Sequence, residues 1–244
     1  MRILSFGGGV QTSALAVMWA RGEIEADHCV MSDTAGETPE TYRHVEIVRE
    51  YLAERGRTLH VVQRAGPSLE DHTLTISTPI PIRTADAFGH RQCTNKWKIE
   101  PVKQFARAHG AKALTVILGI SYDELYRVKP DRAKWVTREF PLVDLRITRE
   151  DCRRIVLDAG LPDPPKSACF YCPLQGGDRW RWLAVEHPDL FERSEDMERA
   201  INERRTEPAF LTSRLIPLRQ VRTAGAMLPG FDQTAEECEG VCFV

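Results

Sequence analysis

The chain opens MRILSFGGGVQTSAL, a short apolar run, three consecutive glycines and then a stretch of helix-forming residues. Arg2-Ile3-Leu4-Ser5 reads as a strand, the glycines as a turn, and Thr12 to Arg21 as a helix closed by Gly22. A strand that passes through glycines directly into a helix allows few architectures. The helix must pack back over the strand, and the next strand then lies parallel to the first. The same alternation continues. His28-Cys29-Val30-Met31 reads as a second strand and Pro39 to Arg55 as a helix, with Tyr42, Val45, Val48 and Leu52 on one face and Gly56 as its stop. Leu59 to Gln63 reads as a third strand and Ala113 to Ile120 as a fourth, buried on both sides. The expected fold is therefore α/β, a doubly wound parallel sheet of Rossmann-like type over residues 1–145.

Residues 146–244 differ in texture and predict a smaller, helical, cysteine-containing region. Thr148 to Ala159 reads as a helix, Leu161 to Lys166 as a proline-rich connection, Trp180 to Arg205 as a charged helical stretch, and CEGVCFV as a cysteine-bearing tail. At 244 residues the chain has room for one generous domain with such an appendage. It contains no 18-residue apolar run and no signal-peptide core, which predicts a cytoplasmic protein with no membrane partner. A net charge of −2 provides no global basic field, so a nucleic-acid partner would have to be met by a local patch.

A glycine turn between strand and helix gathers backbone N–H groups and a helix N-terminus around one point, an arrangement that favours phosphate. Neither GxGxxG nor GxxxxGK followed by Ser or Thr fits, so dinucleotide and Walker-type loops are unsupported. The plainer reading is a tight turn with Thr12 and Ser13 capping the helix.

Seven cysteines in a non-secreted chain point to metal or redox chemistry rather than structural disulfides. Cys169-Phe170-Tyr171-Cys172-Pro173 presents two thiols to one metal ion or cluster, or forms a redox disulfide. It follows the proline-rich connection rather than a strand, which favours metal. Cys29 and Cys152 lie within strand and helix patterns and read as buried apolar residues.

Four segments, in order over the first 130 residues, carry a resemblance. FGGGVQTSAL resembles the pyrophosphate loop of the PP-loop adenine nucleotide alpha-hydrolase superfamily, whose usual form is SGG, any residue, then DS. Gly7 stands at the first serine, Gln11 at the aspartate and Thr12 at the second serine; a glutamine there is similar to the loop of the phosphoadenylyl-sulfate (PAPS) reductase branch. SDTAGETPETY is similar to that branch's DTG-x-x-x-PETY, with Ala35 inserted before the glycine. CTNKWKIEP resembles its CC-x-x-RK-x-x-P, with Thr94 in place of the second cysteine and Trp97 in place of the arginine. GISYDELYR stands where a family segment follows a core strand.

The resemblance implies an adenine nucleotide, ATP or an adenylyl sulfate, across the carboxyl ends of the strands, with Mg as a possible companion. Ser5, Gly7, Gly8, Gly9, Gln11, Thr12 and Ser13 would cradle its phosphate or sulfate end. Asp33, Thr34 and Glu37 would lie at the neighbouring strand end, and Lys98 and Arg127 would supply cations. Lys98 has a plainer reading as a solvated lysine. The resemblance further implies a 4Fe-4S cluster, or zinc, on Cys93, Cys169 and Cys172. The fourth ligand would come from Cys238 or Cys242, because Thr94 cannot supply a thiolate. Alternatively Glu237-Cys238 is similar to the Glu-Cys pair of the reductases' tail, whose cysteine takes sulfur.

Three functions follow. The favoured one is ATP-dependent sulfur insertion into a tRNA or DNA acceptor, as in tRNA thiolation or the related DNA-phosphorothioation proteins, with a sulfur or electron donor protein as partner. The second is sulfonucleotide reduction by a nucleophilic Cys238 or Cys242. The third is a nucleotide-binding module without catalysis, suggested by the loss of the aspartate at Gln11. In the last third, Trp180, Trp182 and Phe191 beside Arg179, Arg181 and Arg193 fit either base stacking or packing of the small region with the arginines at its edge, and packing is favoured.

Overall fold

A computed structural model describes residues 1–131 and 133–223. Five strands, β1 (Arg2–Phe6), β2 (His28–Ser32), β3 (Leu59–Val62), β4 (Leu114–Ile117) and β5 (Val136–Glu139), form one sheet in the order β3-β2-β1-β4-β5. Every pairing is parallel. The fold is thus the expected α/β doubly wound sheet. Alternation along the strands divides the core: Leu4, Cys29 and Ile117 face one layer of helices, and Ile3, Val30 and Val116 face the other.

The first layer holds α1 (Val10–Ala20), α2 (Pro39–Ala53) and α6 (Arg149–Asp158). Residues Val10 to Trp19 of α1 are all buried, as expected of a helix covered on several sides. The helix ends at Arg21, and Gly22 follows at φ +78, a conformation that costs glycine little. On α2, Val45, Val48 and Leu52 are buried as their spacing predicts, each stabilising by about 1.5–3 kcal/mol. Tyr42 is only half-buried and turns its hydroxyl towards the carboxyl end of β2. The second layer is α4 (Glu100–Ala108), preceded by a wide π turn over Thr94–Ile99.

A further core draws on two stretches distant in the chain. Leu69 of α3 (Leu69–Thr75), Ile80, Ile82 and Trp97 pack with Phe170, Tyr171, Trp180, Leu183, Phe191 and Met197. The stretch expected as one helix from Trp180 to Arg205 is two, α7 (Gly177–Glu186) and α8 (Pro188–Glu203). The break has a local cause: Pro188 has no N–H to donate to the preceding turn, and His187 adopts a non-helical φ −137, ψ 66. Trp180 and Phe191 are fully buried, so their faces pack the core rather than receive bases. Cys29 and Cys152 are buried as expected. Burial pushes both thiols up, that of Cys152 to about 12.

Short elements α5 (Pro141–Asp144) and α9 (Leu218–Thr223) complete the described chain. No described helix is long and apolar enough to cross a membrane.

Candidate functional site

In a sheet of this order the crevice opens at the carboxyl ends of β1 and β4, where the connections part to opposite faces. Gly7, Gly8 and Gly9 follow β1 at that point. Gly9 occupies the N-cap of α1 with no side-chain cap, so the helix presents its first N–H groups to the crevice. Gly8 sits at φ +76, and a Cβ there would come within 2.9 Å of Thr41 Cγ2, so neither the backbone angle nor the space admits a side chain. Across the crevice Gly119 follows β4. A Cβ on it would lie 2.8 Å from Thr12 Cγ2 and 3.1 Å from Thr12 N.

The hydroxyls of this loop are engaged within it. Thr12 Oγ1 accepts from Gly7 N–H at 3.2 Å and donates to Gly9 O at 3.1 Å. Ser13 is buried; its hydroxyl donates to Gly9 O at 2.9 Å and lies 2.8 Å from His44 Nε2. A serine has one proton, so with that proton on Gly9 the imidazole must be the donor. Burial of His44 favours its neutral form and brings its pKa down to about 4. Gln11 bridges the crevice: its amide nitrogen donates to Glu124 Oε2 at 3.3 Å, and Glu124 pairs with Arg127 at 2.8 Å. Ser5, at the end of β1, is half-buried beside the loop.

At the end of β2 the backbone turns sharply. Asp33 Oδ1 accepts from Ala35 N–H at 2.8 Å and from the Tyr42 hydroxyl at 2.9 Å, while Oδ2 accepts from Gln63 at 2.9 Å. The inserted Ala35 is accommodated at φ 59. Thr34 is buried with its hydroxyl 3.1 Å from Cys169 Sγ. Glu37 is 6% exposed and meets Lys98 Nζ at 3.8 Å and Ser167 Oγ at 3.2 Å.

Ser167, which no sequence pattern marks, joins the two halves of the site. Its hydroxyl contacts both the carbonyl of Gly7 and the carboxylate of Glu37. Both are acceptors when Glu37 is ionised, so the single Ser167 proton is shared between them. Burial raises the pKa of the Glu37 carboxyl against the opposing effects of Lys98 and the Ser167 hydrogen bond. Arg179 lies on the same side, its guanidinium 3.4 Å from Thr38 Oγ1 and stacked over Trp182 at 3.5 Å.

Cys93, Cys169 and Cys172 line one small cavity together with Thr94, Lys98, Arg91 and Tyr171. Residues far apart in the chain are thus brought to one place, and all three cysteines are thiols rather than disulfides. Their soft donors and the cavity's largely apolar wall suit a sulfur-ligated metal group. Among the described residues, no three His, Cys, Asp or Glu side chains converge closely enough to hold one metal ion. Cys238 and Cys242 lie outside the described residues.

No protein-family model matches the chain, and no curated protein matches it. Among solved structures, the U34-tRNA thiolase NcsA from Methanococcus maripaludis, described with its 4Fe-4S cluster, aligns over 93% of this chain and 81% of its own, at 12% identity and a TM-score of 0.45. The tRNA and the cluster belong to that protein.

Proposed function

We propose that the chain is a nucleotide-dependent sulfur-transfer enzyme, which binds an adenine nucleotide at the glycine loop and handles sulfur in the cysteine cavity. The observation that carries this reading is Ser167, two residues before the CxxC, which touches the carbonyl of Gly7 on one side and Glu37, paired with Lys98, on the other. A phosphate-type loop and a three-thiol cavity are thereby adjacent parts of one site.

The chain's own residues divide the work. The N–H groups at the start of α1 and Gly7 to Gly9 cradle the nucleotide's anionic end. Gln11, Glu124 and Arg127 shape the opposite wall of the crevice, with Arg127 held close to the anion. Lys98 lies between the two sub-sites, where its ammonium stabilises negative charge developing during transfer. Glu37 pairs with that ammonium and Ser167 touches Glu37 in turn, which fixes the position of Lys98. Asp33 fixes the turn that presents Thr34 and Glu37. Cys93, Cys169 and Cys172 would hold a 4Fe-4S cluster, which when bound supplies a site for sulfur to be carried as an anion. The reading extends to ATP as the activating nucleotide and an RNA or DNA as sulfur acceptor, supported by Thr94 in place of the second cysteine of the reductases' CC-x-x-RK-x-x-P segment.

The test is anaerobic purification of the full chain, followed by iron, sulfide and zinc counts and by nucleotide turnover. The expected result is a brown protein with about four irons and four sulfides. It should form AMP or pyrophosphate from ATP only when an RNA or DNA acceptor is added, and Lys98→Ala should abolish that turnover. An iron-free protein removes the cluster, and sulfite release from an adenylyl sulfate replaces this reading with a reductase.

A further inference from the structure

Between the two cysteines of the CxxC stands Tyr171, whose side chain is 0% exposed and forms part of the wall of the cavity that Cys93, Cys169 and Cys172 line. Its hydroxyl has no hydrogen-bond partner among the described residues. Leaving a polar group buried and unsatisfied costs about 1–3 kcal/mol, and a phenylalanine would fill the same space without that cost. The fold also holds the ring firmly. Phe170 N–H donates to Gly36 O at 2.7 Å, the Phe170 and Tyr171 rings pack edge to face at 4.7 Å, and a Cβ on Gly36 would lie 2.6 Å from the Tyr171 oxygen. Cys169, Glu70, Cys93 and Glu37, acceptors when ionised, and the Arg193 guanidinium act electrostatically on the phenol.

From the buried, unpartnered hydroxyl in the wall of a three-thiol cavity, we infer that Tyr171 binds a sulfur anion: its O–H donates a hydrogen bond to a metal-bound thiolate or inorganic sulfide held there. The inference rests on the sulfur-handling reading of the cavity and adds a positioning residue to it. A hydrogen bond to an anionic sulfur is charge-assisted, withdraws electron density from that sulfur, and favours the reduced state of an attached iron group. It also fixes which sulfur stays anchored and which is available to leave.

The experiment compares the full-length parent with Tyr171→Phe, purified anaerobically, in three forms: metal-free, loaded with cobalt(II) alone, and reconstituted with iron(II) and sulfide. Metal-free Tyr171→Phe should melt no lower than the parent, because the hydroxyl it loses has no partner among the described residues. Metal and sulfide content should be unchanged in both loaded forms. The sulfur-to-metal charge-transfer band should shift in the cobalt form if the acceptor is a cysteine thiolate. If the acceptor is inorganic sulfide, only the iron–sulfide form should change, with a more negative reduction potential. Identical bands and potentials at equal metal content overturn the inference, as does a metal-free variant that melts several degrees below the parent. A parent that takes up neither cobalt nor iron overturns the reading of the cavity itself, and this is seen without the variant.

Discussion

The Thr34 hydroxyl and the Cys169 sulfur lie 3.1 Å apart in the protein interior, joining the carboxyl end of β2 to the CxxC segment 135 residues further along the chain. Substituting Thr34→Val keeps the shape and removes the polar contact. The expected cost is about 0.5–1.5 kcal/mol in urea denaturation of the metal-free chain. Because the contact also aims the sulfur, Thr34→Val should take up less iron during reconstitution than the parent, measured as iron per chain; full uptake would show that the contact does not orient Cys169.

Gln11 faces the Glu124 carboxylate at 3.3 Å. Gln11→Asp, which restores the residue of the usual pyrophosphate loop, would exchange an amide donor for a like charge beside a buried acid. The substitution should cost about 2–3 kcal/mol at pH 7.5. Repulsion favours the protonated form of the acid pair in the folded state, so the deficit should shrink as pH falls towards 5. Urea midpoints at the two pH values decide the matter.

The pH dependence of stability separates two buried groups. His44 is held neutral with its pKa brought down to about 4, below its unfolded value, so the stability it contributes is present above about pH 6.5 and lost as pH falls towards 4. That loss amounts to about 3 kcal/mol, and His44→Gln should show little of it. Glu37 runs the other way: its carboxyl is raised, so its contribution is present at low pH and lost as pH rises through the folded value. Glu37→Gln should therefore gain on the parent with rising pH. Denaturation curves from pH 4 to 8 for the three proteins would reveal opposite slopes.

Gly119 leaves no room for a methyl group, since its neighbours at 3.1 and 2.8 Å belong to the start of α1. Gly119→Ala must move that backbone and should cost about 1–3 kcal/mol. It should also weaken binding of a fluorescent ATP analogue at least tenfold, as read by anisotropy. Gly110, with open space around its Cβ position, gives a control whose replacement should strain only the local turn.

Much of this architecture is legible in the sequence because the strands of a parallel sheet are apolar runs and the helices between them carry periodic faces. β1, β2, α1 and α2 all announce themselves in this way. β5 does not: Val136-Thr137-Arg138-Glu139 is polar because it lies at the sheet edge, and only its pairing with β4 reveals it. The segment Thr94–Ile99 hides a π turn behind a motif-like string, and the α7–α8 break turns on one proline. Within the site, the glycine loop, Glu37, Lys98 and the three cysteines were marked by resemblance. Ser167 and Tyr171 were not, since a coil serine and a tyrosine between two cysteines acquire meaning only from what folds against them. Ser13, which the loop pattern offers to phosphate, also ties α1 to α2 through His44.

Ala35 and Gly36 place unequal limits on how this chain can drift. At φ 59, Ala35 already occupies the left-handed region, and exchange for glycine, asparagine or aspartate relieves rather than adds strain. Its neighbour has no such latitude, because the ring of Tyr171 closes the space where any side chain would begin. Among diverged copies of this protein, position 35 should wander among small left-handed residues while position 36 stays glycine for as long as position 171 keeps its ring.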